Sequence, residues 1–176
     1  IKPLTAYGPA IEYLNYSTYE QVVDEPYTFK DGTPINNYDN NYEGQISLRR
    51  SLVDSRNVPT TKIYEDVPRE QVAEFLTNLG IDPATLNPNS NGLVESNGFT
   101  GNITPVALSG AYAAFANGGT YTEPYTVSKI VLEDGEEINL KPESTKAMEE
   151  FTAYMITDML KDVASNNSSR VGLNGI

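Results

Sequence analysis

The chain has 176 residues, about one domain's worth, and a formal charge of −12. Such acidity argues against nucleic acid or an anionic membrane surface as partner, because both require clustered positive charge. The absence of His and Cys excludes a Ser-His-Asp triad, an imidazole base, a thiol nucleophile, a disulfide and any zinc site built from imidazole or thiolate. Chemistry is left to carboxylates, Lys, Tyr, Ser/Thr and the backbone, and no metal or cofactor is expected. No apolar run approaches 18 residues, so no span is expected. No charged start leads into an apolar segment, so no signal peptide is expected. The opening Ile1-Lys2-Pro3, without Met, reads as part of something longer.

The first third is rich in tyrosine and turn formers. Seven of the 12 Tyr fall before residue 43, interleaved with Asp31-Gly32-Thr33-Pro34 and Asn36-Asn37-Tyr38-Asp39-Asn40-Asn41. This density predicts a long structured loop with short strands. The tyrosines read either as half-buried packing rings or as an aromatic wall beside a cleft.

From Ser47 the pattern turns helical. Ser47 is placed to cap, Leu48 and Leu52 share a face, and Arg49 and Arg50 point outward, with a stop near Asp54. Val58 before Pro59 is biased toward extended geometry. Ser55-Arg56-Asn57 therefore reads as a short loop between two helices. The second is expected to be capped by Thr60 or Thr61 and to end near Asp66. Pro68 starts an amphipathic helix with Val72, Phe75, Leu76 and Leu79 on one face and Gly80 as its stop.

Residues 82–102 read as loop. Thr104 as cap, Pro105 at the first position and Gly118-Gly119 at the end bracket a helix that is apolar almost all round, predicting a buried central element. Residues 125–132, the Asp134-Gly135 turn and Ile138 predict a β-hairpin. Ser144 or Thr145 is expected to cap a long last helix to about Ala164. Its inward stripe would be Met148, Phe151, Met155, Met159 and Val163, and Ser165–Ile176 would be polar loop. A lone hairpin is too little sheet to stand by itself.

Lys2, Ser55-Arg56-Asn57 and Ala116-Asn117-Gly118-Gly119-Thr120-Tyr121 are each weak signals, but their order and spacing are informative together. Four stretches carry a resemblance: Ile1-Lys2-Pro3-Leu4 with Tyr7-Gly8-Pro9-Ala10; Asn36-Asn37-Tyr38-Asp39 through Ser55-Arg56-Asn57-Val58-Pro59; Ile103-Thr104-Pro105 through Gly118-Gly119-Thr120-Tyr121; and Thr152-Ala153-Tyr154-Met155 with Asp158-Met159-Leu160. They resemble the transpeptidase domain of class A penicillin-binding proteins, Gram-positive forms above all, over nearly the whole chain.

The resemblance implies an α+β fold in which residues 1–176 are a helix-rich part of one transpeptidase domain, with a hairpin and an incomplete main sheet. It implies a Ser nucleophile three residues before a Lys at a helix start, so that hydroxyl and amine share a face. Lys2 matches that Lys, and must be neutral part of the time to take a proton. The base in related β-lactamases is disputed. Ser55 matches a hydroxyl that relays a proton to the leaving group. Asn57 matches an amide that bonds Lys2 and the substrate's acyl-amide. Arg56 fills the variable middle position and receives no catalytic role. Tyr38 is a candidate substrate-lining aromatic.

The implied reaction is acyl transfer on the D-Ala-D-Ala end of a peptidoglycan stem peptide, with β-lactams acylating the same Ser. The implied place is the extracytoplasmic face of the membrane, held by an anchor outside this chain. Neither a Ser-x-x-Lys nor a Lys-Thr-Gly or Lys-Ser-Gly triplet occurs within residues 1–176. Both are expected just beyond the two ends, which predicts that the segment alone is inert and works with the remainder of its domain, including as separate chains. Two other readings are a β-lactam-binding sensor on the same fold and a non-catalytic extracellular binding domain.

Overall fold

A computed structural model of the chain describes residues 1–90 and 92–167, with side chains described through residue 166. It opens on helix rather than on the expected loop. A π-turn over Pro3–Tyr7 runs directly into α1 (Gly8–Leu14), and Leu4, Tyr7 and Ile11 are fully buried. The reason is local. Pro9 has no N–H to donate one turn back, and just before it the Gly8 N–H reaches five residues to the Pro3 carbonyl, widening the turn. Gly8 is required there, since a Cβ would lie 2.6 Å from Phe75 and 2.7 Å from the Pro3 carbonyl oxygen. Turn-forming residue types concealed this helix from the sequence.

After α1 come β1 (Gln21–Asp24), β2 (Tyr27–Thr28), β3 (Pro34–Ile35) and β4 (Gly44–Ser47). β1 pairs antiparallel with β4, and β2 with β3. α2 (Leu48–Val53) begins as expected, with the Ser47 hydroxyl accepting from the Arg50 N–H. α3 (Asn57–Asp66) starts earlier than expected. Thr60 and Thr61 lie inside it, their hydroxyls donating to the Arg56 and Asn57 carbonyls. α4 (Arg69–Asn78) buries Val72, Phe75 and Leu76, with Leu79 just beyond it, and stops at Gly80 (φ 72°), whose Cα faces the Tyr121 hydroxyl closely enough to exclude a side chain.

α5 (Pro105–Ala116) has the expected cap, Thr104 accepting from Ala107 N–H. It is not buried all round: Ala111, Ala114 and Phe115 are covered, whereas Val106 is 63 % exposed. β5 (Thr120–Thr122), β6 (Lys129–Val131), β7 (Glu137–Asn139) and β8 (Ser144–Lys146) follow. β6 and β7 form the predicted hairpin about Gly135. β5 pairs with β8, so Ser144 and Thr145 lie in a strand instead of capping a helix. The last helix, α6 (Glu150–Asn167), starts later and runs further than expected. Its inward face is Thr152, Ala153, Ile156 and Met159, whereas Phe151 is 42 % exposed. The polar loop expected beyond it falls outside the described residues.

The described strands form four separate antiparallel pairs around a helical core, consistent with the expected α+β class and incomplete sheet. That core joins α1, α3, α4, α5 and α6 through Leu4, Tyr7, Phe75, Leu76, Phe115 and Met159. Tyr13 meets Phe75 edge-on at 6.4 Å. Two polar braces attach α6. Arg49 on α2 donates to Asp158 and Asp162, so it turns inward rather than outward. Glu12 on α1 accepts from the Glu149 N–H and the Thr152 hydroxyl, supplying the α6 N-terminus with a cap from a distant part of the chain. Among the described residues no helix is long and apolar enough to cross a membrane.

Candidate active site

The end of α2 and the start of α3 meet in a three-residue turn, and Lys2 reaches into it. The Ser55 N–H bonds the Leu52 carbonyl and the Arg56 N–H bonds the Ser51 carbonyl, the two bonds of a Schellman termination. That motif calls for a left-handed residue after the cap, normally Gly. Ser55 holds it with φ 54°, at a cost of about 1–2 kcal/mol for a residue with a Cβ. Asn57 opens α3, and its backbone N–H and that of Val58 are both accepted by the side-chain oxygen of Asn37.

Lys2 is the point of convergence. Its Nζ donates to the Ser55 carbonyl (2.5 Å), the Ser55 hydroxyl (3.1 Å), the Arg56 carbonyl (3.1 Å) and the Asn57 side-chain oxygen (2.9 Å). The Asn57 amide is oriented by its Nδ2, which donates to the Asn36 carbonyl at 2.8 Å. Burial, and secondly the nearby Arg56 cation, lower the Lys2 pKa from 10.5 to about 8. At pH 7 roughly a tenth of such lysines are neutral, against roughly one in three thousand of ordinary ones. A lysine so held can exchange a proton with a hydroxyl within its reach.

Lys2, Ser55, Asn57 and Tyr38 all line one open cleft of about 670 Å³, with Phe99 and Tyr112 on its walls. Tyr38 is 64 % exposed. All four residues singled out from the sequence are thus brought together. Three neighbours brace this turn, among them Arg56, to which the resemblance assigns no catalytic role. Arg56 is 1 % exposed, and Asp24 and Asn37 are buried beside it. Arg56 donates to Asp24 and to Asp39, each at 2.9 Å. The only sequence signal for them was an Arg amid site residues and the Asn/Asp density near residue 37, which reads equally well as turn chemistry.

The strained Ser55 predicts a trade-off between stability and activity. Ser55→Gly is expected to stabilise the protein by about 0.5–1 kcal/mol, backbone relief being partly offset by the freer unfolded glycine. Ser55→Ala keeps the strain. If Ser55 is held there for its hydroxyl, both variants lose activity but only the glycine variant melts higher. Thermal unfolding beside an acylation assay checks this.

Residues 1–173 match the transpeptidase family, described as the penicillin binding protein transpeptidase domain. The chain is 40% identical to penicillin-binding protein 1A/1B of Bacillus subtilis over 173 residues, covering 97% of this chain and 19% of that protein. It is 41% identical to penicillin-binding protein 1A of Streptococcus pneumoniae over 175 residues, covering 97% of this chain and 24% of that protein. The chain therefore spans about a quarter or less of the length of these relatives. Among solved structures, penicillin-binding protein A from M. tuberculosis, determined as an imipenem acyl-enzyme complex, superposes with TM-score 0.81 at 16% identity, covering 99% of this chain and 45% of that one. Penicillin-binding protein 1A from Haemophilus influenzae superposes with TM-score 0.79 at 22% identity, covering 93% and 29%. At those identities the superpositions speak for the fold.

Proposed function

Because the chain belongs to the penicillin-binding protein transpeptidase domain family, we propose that it is part of a serine D-Ala-D-Ala transpeptidase that cross-links peptidoglycan stem peptides and is acylated by β-lactams. The observation that supports this most is the convergence of the Lys2 amine on the Ser55 hydroxyl and the Asn57 amide at the edge of the cleft. Residues 53–55 apart in sequence meet at hydrogen-bond distance in the arrangement that a Ser/Lys acyl transfer requires.

Neutral Lys2 takes the proton of the nucleophilic Ser as its oxygen attacks the carbonyl of the penultimate D-Ala. An ester forms and the C–N bond breaks. Ser55 passes its proton to the departing D-Ala nitrogen and takes in its place the proton that Lys2 received, which returns Lys2 to its neutral form. Asn57 holds the substrate's acyl-amide, and Tyr38 lies along the bound peptide. The amine of a second stem peptide then attacks the ester, forming the new amide and returning the proton to the Ser. A β-lactam enters at the first step, its ring amide opening in place of the peptide bond. The nucleophilic Ser and the Lys-Thr-Gly strand are assigned to the remainder of the domain, and the whole enzyme to the extracytoplasmic face of the membrane.

Fluorescent penicillin tests this directly. The full-length protein should take one label per chain on a Ser three residues before Lys2, and residues 1–176 alone should take none. A stable adduct on the isolated segment, or none on the full-length protein, overturns the assignment.

A further inference from the structure

Arg56 sits between two residues of the site but faces away from it. Its Nε donates to Asp24 Oδ2 (2.9 Å), one terminal nitrogen to Asp39 Oδ2 (2.9 Å) and the other to the Asn41 carbonyl (2.6 Å). Asp24 is fully buried, and its other oxygen accepts from the Asn37 amide at 2.8 Å. That amide also donates to the Asn41 carbonyl at 2.9 Å, while its oxygen accepts from the Asn57 and Val58 N–H groups at 2.8 and 3.3 Å. Tyr38 lies between Asn37 and Asp39. The residues on either side of this cleft aromatic are therefore bonded to Arg56 itself and to Asn57 beside it.

An ion pair this deep is not explained by stability, because an apolar side chain of similar volume often serves a core as well or better. What the guanidinium adds is direction, through three donors in one plane. Resting on the acyltransferase reading above, we propose that Arg56 is a positioning residue for the reaction. Its fork on Asp24 and Asp39 locks the Tyr38 loop to the Ser55–Asn57 turn, so that the aromatic wall and the Lys2 acceptors move as one piece. Lys2 bonds the Arg56 carbonyl itself, so tilting this turn carries the Lys2 amine with it.

A second consequence concerns protonation. Arg56 is the cation beside Lys2. The other titratable side chains lining the cleft with Lys2 are Asp54, Tyr38 and Tyr112, while Asp24, Asp39 and Glu43 lie on the guanidinium. Removing the Arg56 charge removes its repulsion of the amine and favours the protonated form of Lys2. A Lys in its place keeps the charge but not the fork.

The test uses the full-length protein and fluorescent penicillin, with the acylation rate constant k2 and its pH profile measured at saturation. Arg56→Gln should lower k2 about 100-fold, as expected for loss of positioning, and move the acid limb up by ~1 pH unit. Arg56→Lys should lower k2 with the limb in place. If Arg56→Gln fails to fold, the double variant Asp24→Asn/Arg56→Gln, which leaves a neutral hydrogen-bonding pair in the core, should show the same two effects. A purely structural Arg56 would reduce the labelled fraction at unchanged k2 and unchanged limb, and that outcome overturns the proposal alone. A parent protein that takes no label overturns the underlying reading with it.

Discussion

Lys2→Met is expected to lower the acylation rate of the full-length protein by at least about a thousandfold, and to lower its melting temperature as well, because three acceptors of the turn lose their donor. A positioned general base contributes about 10²–10⁴ in rate, and here the same amine also holds the Ser55–Asn57 turn. The parent rate should rise with pH through about 8, where Lys2 changes from mostly protonated to mostly neutral. Below that inflection each pH unit costs about tenfold. The Met variant should show a flat residual rate. Lys2→Arg separates base from charge, since a guanidinium stays protonated throughout this range. It should be as slow as Met although it keeps a cation at the turn. A Met variant retaining more than a tenth of the parent rate would remove Lys2 from the mechanism.

Phe75→Ala should be the most costly single change among those discussed, about 3–5 kcal/mol in unfolding free energy. Phe75 is fully buried on α4, meets Tyr13 edge-on, and is the ring against which Gly8 fits. The cavity left by Ala would open directly under the helix that follows Lys2, beside Gly8. Phe75→Leu should cost less, because it refills most of the volume. Denaturant unfolding of the full-length protein with both variants checks the order. Near-equal stability of Phe75→Ala and the parent would mean that this core is not closed as described.

The legible parts of the fold were those written in local chemistry. The Ser47 and Thr104 caps, the apolar face of α4 and the Asp134-Gly135 turn all depend on neighbours within a few residues, and each stands where the pattern put it. The first helix did not, because Pro3, Gly8 and Pro9 carry turn preferences that only burial against Phe75 overrides. The strand pair β5–β8 was hidden for a related reason. Three-residue strands with 21 residues between them (Thr122 to Ser144) leave no periodicity, and Ser144 satisfies a cap pattern equally well. In the site, Lys2, Ser55, Asn57 and Tyr38 were nominated by resemblance and spacing. Arg56, Asp24 and Asn37 are joined by contacts 13–32 residues long, which a single sequence does not display.

Glu12 has a bearing on the order of events in biogenesis. It is the cap of α6, 137 residues downstream, and at about 5–20 residues per second that stretch takes roughly 7–27 s to synthesise. Through that interval α1 carries an acidic group waiting for donors that do not yet exist. The brace between α1 and α6 therefore closes late. Tyr7 is covered earlier, by α3 and α4 and by the Ser51 and Thr60 hydroxyls it bonds, so it is the Glu12 brace that waits for the trailing helix.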